Sequence, residues 1–235
     1  RVKYIMAYTT INKSTDYFNT NLYTGNGYAR TITGVGFQPD WVWVKERNGT
    51  NFHYVYDVVR GNNLNVYTNA NDADTNVTSA LGGGGIGTSN TNNVNTNSNN
   101  YVSWNWKAGT TSGLSGGTIT PSSYSINTTS GFGIYTYTGT GSAGTIAHGL
   151  GSTPKLIIVK CRSNADTWAV YHADVGATKY LELDTNVQAQ TSTVPWNNTE
   201  PTSSVFTVGT WSATNGSGRT YIAYCFAEKT GYSKF

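Results

Sequence analysis

Three histidines, twelve acids and seven tryptophans are the residues of this 235-residue chain best suited to do chemistry. His53, His148 and His172 are scattered, and no H-E-x-x-H or Cys/His spacing surrounds them, so no zinc site is expected. A hydrolytic triad needs a Ser or Cys, a His base and a carboxylate. The residue types are present, but no Ser sits in the strand–turn–helix setting of a nucleophile elbow. Asp57, Asp174, Glu182 and Asp184 are conceivable partners for glycoside cleavage, which takes two facing carboxylates. None lies in a recognisable motif. The stretch NDADTN (71–76) spaces Asp72, Asp74 and Asn76 like a calcium loop. It has Val77 where the turn glycine belongs and Gly83 where the bidentate Glu belongs, and reads as a polar hairpin loop. GGGG (82–85) lacks the Lys-Ser/Thr and the helix of a phosphate loop. No catalytic residue, metal or cofactor is assigned, and the chain is expected not to be an enzyme.

The aromatics are the stronger lead. Sugars stack their apolar faces on Trp and Tyr while amides and backbone groups fix their hydroxyls. Trp196 lies in VPWNNTE and Trp211 in GTWSATNGSG, both turn-like and beside Asn and Thr. Trp196, Asn197 and Trp211 are therefore the candidate glycan contacts. Packing against a neighbouring repeat or subunit is the alternative for both rings. Trp41, Trp43, Trp104 and Trp106 fall in strand patterns and are expected in the core.

Strands must position these residues. In DWVWVKER, Trp41, Trp43 and Lys45 alternate with Val42 and Val44, so both faces are apolar, as in a strand buried between layers. FHYVYDVV (52–59), KLIIVK (155–160), WAVYH (168–172) and KYLELD (179–184) continue the alternation, and helical periodicity is nearly absent. The chain also repeats itself. YTGNG at 23–27 returns as YTGTG at 137–141. Gly34 then falls on Gly149, Gly36 on Gly151, Pro39 on Pro154, Arg47 on Arg162 and Tyr56 on Tyr171, each 115 residues apart. YVSWNWKAG (101–109) matches YIAYCFAEKTG (221–231) with a drift of a few residues. A unit this long is the size of a small domain, not of a solenoid repeat. The expected fold is all-β, with two tandem homologous β-sandwich repeats of jelly-roll or concanavalin-like type over 1–110 and 124–235. A Gly/Ser/Thr linker at 111–123 is expected between them. The Gly- and Asn-rich stretch 79–100 is expected to hold a weaker strand, or a loop, where the second copy has a strand.

Composition sets further bounds. Charged residues are 11% of the chain, against about 25% in ordinary soluble proteins. Twenty-seven glycines, seventeen tyrosines and many Asn, Thr and Ser residues take their place, as in an extracellular or particle-surface β protein. Aromatics at 13% argue against disorder. A net charge of +3 is too small to argue for nucleic acid or an anionic membrane. No apolar run approaches the roughly 20 residues that span a bilayer, so no membrane insertion is expected. Opening on Arg1, the chain reads as a processed product or part of something longer. Cys161 and Cys225 make no disulfide framework and read as two buried thiols, a bridge between adjacent strands being the alternative.

The phrases INKSTDYFNTNLYTGNG, ITGVGFQPDWVWVKERNGT, YVSWNWKAG, YHADVGATKYLELDT and YIAYCFAEKTGYSKF resemble an uncharacterised repeat domain of bacteriophage virion proteins, especially tail-fibre-like and particle-surface proteins of aquatic phages. The resemblance covers nearly the whole chain and carries no established catalytic residues. It implies a virion structural protein, on a tail fibre or as a capsid decoration. Its partners would be further copies of itself, as a trimer or a lattice, other virion proteins and a host-surface glycan. A glycan-binding adhesion module of a phage or bacterial surface is the alternative, and a polysaccharide-degrading tail enzyme the third reading.

Overall fold

The computed structural model describes residues 9–61, 63–77, 81–82, 85–88 and 93–235. The first half supplies β1 (Phe18–Thr24), β2 (Arg30–Ile32), β3 (Trp41–Glu46), β4 (Tyr54–Asp57), β5 (Leu64–Tyr67), β6 (Thr75–Asn76), β7 (Leu81–Gly82), β8 (Gly85–Thr88) and β9 (Asn100–Trp106). The second supplies β10 (Ser123–Asn127), β11 (Phe132–Thr138), β12 (Gly144–Ala147), β13 (Pro154–Cys161), β14 (Ala169–His172), β15 (Lys179–Glu182), β16 (Gln190–Thr191), β17 (Val205–Val208), the one-turn helix α1 (Ser212–Asn215) and β18 (Thr220–Ala227). All named strand pairings are antiparallel.

The strands form four sheets stacked as sandwich-like layers. The six-stranded sheet runs β1-β9-β3-β4-β5-β6, and the seven-stranded sheet β10-β11-β18-β13-β14-β15-β16. The order of the first matches β11-β18-β13-β14-β15-β16 of the second, strand for strand. Each large sheet has a small one beside it: β2-β8-β7 in the first half and β12-β17 in the second. The weak stretch of the first half thus keeps a strand, β8, where β17 stands in the second. Residues 78–80, 83–84 and 89–92, including half of GGGG, lie outside the described residues.

Alternation decides which layer each side chain enters. Val42, Val44, Tyr54 and Tyr56 pack with Ile32 of β2 in the core of the first half. Ile157, Val159, Tyr135 and Tyr171 pack with Ile146, Phe206 and Val208 in that of the second. A third core joins the halves. Trp41, Val55 and Val66 pack there against Phe132, Ile134, Trp168, Ile222, Tyr224 and Phe226. Trp41 is 2% exposed, its ring 4.4 Å from Trp106, 4.8 Å from Tyr224 and 5.7 Å from Phe132. At ~25 cal/mol per Å² of apolar surface, a buried Trp of this size contributes several kcal/mol to holding the sheets together. The glycines that bracket the turn into each central strand take positive φ: 92° at Gly34, 91° at Gly36, 62° at Gly149 and 72° at Gly151.

The stretch expected as a linker is mostly exposed, with two anchored apolar residues. Ile119 is buried and bridges Ile146, Leu114 packs on the second-half core, and Leu114 N donates to Tyr124 Oη (2.9 Å). These two residues pin the stretch to the second half. The segment before β1 approaches the one after β18, with the Tyr17 and Tyr232 rings 6.3 Å apart.

Candidate functional site

The six-stranded sheet is covered unevenly. On the face carrying Trp41, the register places Trp43 opposite Trp104 and Trp106 opposite Phe18. Trp41 lies under the other sheet, whereas Phe18, Trp43, Trp104 and Trp106 are only partly buried. These four line an open cleft of about 270 Å³ with no polar residue among its walls. Trp43 and Trp104 meet edge to face at 5.9 Å, and Phe18 lies 4.7 Å from Trp106. Phe18 and Trp106 also border a recess of about 380 Å³ whose wall adds Phe132, Phe226, Phe235 and Tyr232 with Ser14, Ser130 and Ser233. The Trp43 indole N–H and the Ser130 hydroxyl are buried without a hydrogen-bond partner.

This aromatic face thus joins two recesses walled mainly by rings. Its rings can stack on the apolar face of a sugar or bury an apolar side chain of another protein. The reading of both-faced apolar strands as wholly interior holds for Trp41; Trp43 and Trp106 pack against the shared core on one side only, and they and Trp104 stay partly exposed. One sign was available. Trp43 aligns with Ile158 in the repeat and Trp104 with Tyr224, so the first copy concentrates indoles where the second does not.

Over residues 13–235 the chain matches a family described as a domain of unknown function, DUF7483. The chain belongs to that family. No curated protein and no solved structure matches it.

In this DUF7483 domain the three residues expected to contact glycan are not brought together. Trp196 is a correction: it is 1% exposed, in the second-half core and edge-on to Tyr171 at 6.0 Å, and so offers no face to a ligand. Its neighbours in sequence are polar because the turn is polar, while the ring itself turns inward. Trp211 is half-buried, its ring 4.7 Å from Tyr180. Asn197 is exposed at φ 52° and lines a shallow recess of about 240 Å³ with Thr118, Thr145, Thr199 and Thr207, which contains no ring.

The carboxylates weighed for chemistry are held by structural partners or stand alone. Asp57 is fully buried and pairs with Arg60 Nε at 2.5 Å, while Tyr224 Oη donates to it across the halves at 2.7 Å. Asp74, from the calcium-like stretch, pairs with Arg60 at 2.9 Å and with Arg162 of the other half at 2.7 Å. Burial would push the Arg60 guanidinium down, but Asp57 first, then Tyr224 and Asp74, raise it instead. Burial pushes the Tyr224 phenol well up. The loop 71–76 is thus a clamp: Asn71 O accepts from Asp166 N at 3.0 Å and from Lys160 Nζ at 3.2 Å. Asp184 accepts from Trp168 N at 2.8 Å, Glu182 from Thr185 Oγ1 at 3.0 Å, and Asp174 is exposed.

His148 is buried. Leu150 N donates to its Nδ1 at 3.2 Å, and its Nε2 lies 3.1 Å from Thr202 O. The ring is held neutral, as burial pushes its pKa down. Among the described residues no group of three or more His, Cys, Asp or Glu could hold a metal, and no helix is long and apolar enough to cross a membrane.

Proposed function

We propose that this chain is a non-enzymatic structural protein of a phage particle surface, part of a tail fibre or a capsid decoration. It joins with other copies and other virion proteins and contributes to host attachment. The observation that carries the reading is the aromatic face of Phe18, Trp43, Trp104 and Trp106, open to solvent and lined by rings alone. Apolar surface of this kind is kept for a partner. The low charge, the β-built body and the resemblance of its phrases to phage virion repeats point the same way. The equal strand order of the halves fits a duplication inside one DUF7483 domain. Immunogold labelling of purified particles with antibodies to this chain tests the reading. Label at the tail tip or over the capsid supports it, and particles without label refute it.

A glycan-binding module is the second reading, favoured by the recess beside the cleft, where Ser14, Ser130 and Ser233 stand among the rings. A glycan screen with Trp43→Ala and Trp104→Ala tests it. Binding lost in both variants supports this reading, and no binding by the parent chain refutes it.

A further inference from the structure

The two halves differ at one sheet margin. In the second half the outer side of β11 carries β10, paired from Ser123↔Thr136 to Asn127↔Phe132. In the first half the equivalent strand, β1, pairs with β9 alone among the described residues. The ladder with β9 uses the odd-numbered residues of this stretch: Lys107 N donates to Tyr17 O at 2.9 Å, and Gly25 N to Asn99 O at 2.8 Å. Alternation then turns the backbone groups of Phe18, Thr20 and Leu22 outward, away from β9. Among the described residues the Thr20 N–H meets only the Asn19 side-chain oxygen, at 3.0 Å. The strand FNTNLYT carries no charge and no Pro, and its register with β9 has no bulge. These are the devices that normally blunt an edge. Leu22 stands on it, 61% exposed.

We propose that the outer edge of β1 is an interface with a second copy of this chain, two β1 strands pairing antiparallel about a two-fold axis. The second half shows what such an edge takes. β10, SYSIN, is short, uncharged and rich in hydroxyls and amides, with apolar side chains at alternate positions. β1 meets the same description, and two identical strands run antiparallel are self-complementary. Centred on Asn21, the pairing sets Thr20 opposite Leu22 of the partner subunit, so that the outward backbone groups of both residues meet. Leu22 is covered. Phe18, Thr20 and Leu22 lie on the same face as Trp104 and Trp106, so the aromatic faces of the two copies become continuous.

The inference deepens the assembly reading by naming the edge through which copies meet, and it fails separately: particle labelling reports location, self-association reports the edge. The test is sedimentation velocity of the full chain over a wide concentration range, alongside Leu22→Lys, Thr20→Pro and, as a control, Val187→Lys at another exposed apolar residue (47%). A monomer–dimer equilibrium is expected, weakened at least tenfold by Leu22→Lys and Thr20→Pro and unchanged by Val187→Lys. Thermal midpoints taken at concentrations where the parent is monomeric should be unaltered, because neither edge variant touches the ladder with β9. A chain monomeric throughout, or a dimer indifferent to both edge variants, overturns the proposal.

Discussion

Replacing Arg60 by Ala should measure how far buried charge clamps the two halves. The Arg60 side chain is fully buried and donates to Asp57, Asp74 and the Val55 carbonyl (2.9 Å). Without it, Asp57 keeps only the backbone N–H groups of Val59 and residue 60 and the Tyr224 hydroxyl. Its charge then lies in the core without a counter-charge. Breaking one partner of a buried pair costs about 3–5 kcal/mol. For a domain of this size that corresponds to a fall of about 6–20 °C in Tm. Arg162 meets the same Asp74 from the other half but is 20% exposed, and the Asp74 it leaves behind keeps Arg60. Arg162→Ala should cost about 1 kcal/mol or less once solvent screening is allowed for. Urea unfolding at neutral pH gives both numbers. Because the third core is shared, each chain should unfold in one transition. Equal losses for the two variants, or a loss below about 1 kcal/mol for Arg60→Ala, would refute the clamp.

Other substitutions separate the roles assigned above. Trp41→Ala should cost about 3–5 kcal/mol through the cavity it leaves between the sheets, and Trp43→Ala clearly less, by denaturant unfolding. Gly117→Ala should lose about 1–3 kcal/mol, since φ is 78° and a Cβ would sit 2.7 Å from Thr145 O. Gly113, also at positive φ but with nothing within 4 Å, should tolerate the same change better. Burial depresses the His148 pKa, so the unfolded chain takes up a proton before the folded one does. Stability is complete above the ordinary value near 6.5 and falls as pH drops below it, and His148→Gln should flatten that slope. Cys161 and Cys225 are buried and unpaired, and burial pushes the Cys225 thiol well up. A thiol reagent should label neither until the chain unfolds, and rapid labelling of the native protein would contradict their placement.

Within each half the fold was legible. The offset that carries Tyr56 onto Tyr171 also carries β4 onto β14 and β5 onto β15, and the alternation of Val42 and Val44 with Trp41 assigned their faces correctly. The contact between halves was not. A strand apolar on both faces does not tell which face meets its own small sheet and which meets a distant one, so Trp41 against Tyr224 could not be read from spacing. For the same reason Trp43, Trp104 and Trp106 looked interior. Trp196 failed in the opposite direction, its polar neighbours describing the turn and not the ring.

The approach of Tyr17 to Tyr232 has a mechanical consequence. A pull applied at Tyr17 and Tyr232 would enter and leave at nearly one point. The load would fall first on the short contact between the terminal segments, while the three cores hang beside the line of tension. A body loaded through these two points lengthens little along the line of tension and stays folded while the contact between them holds.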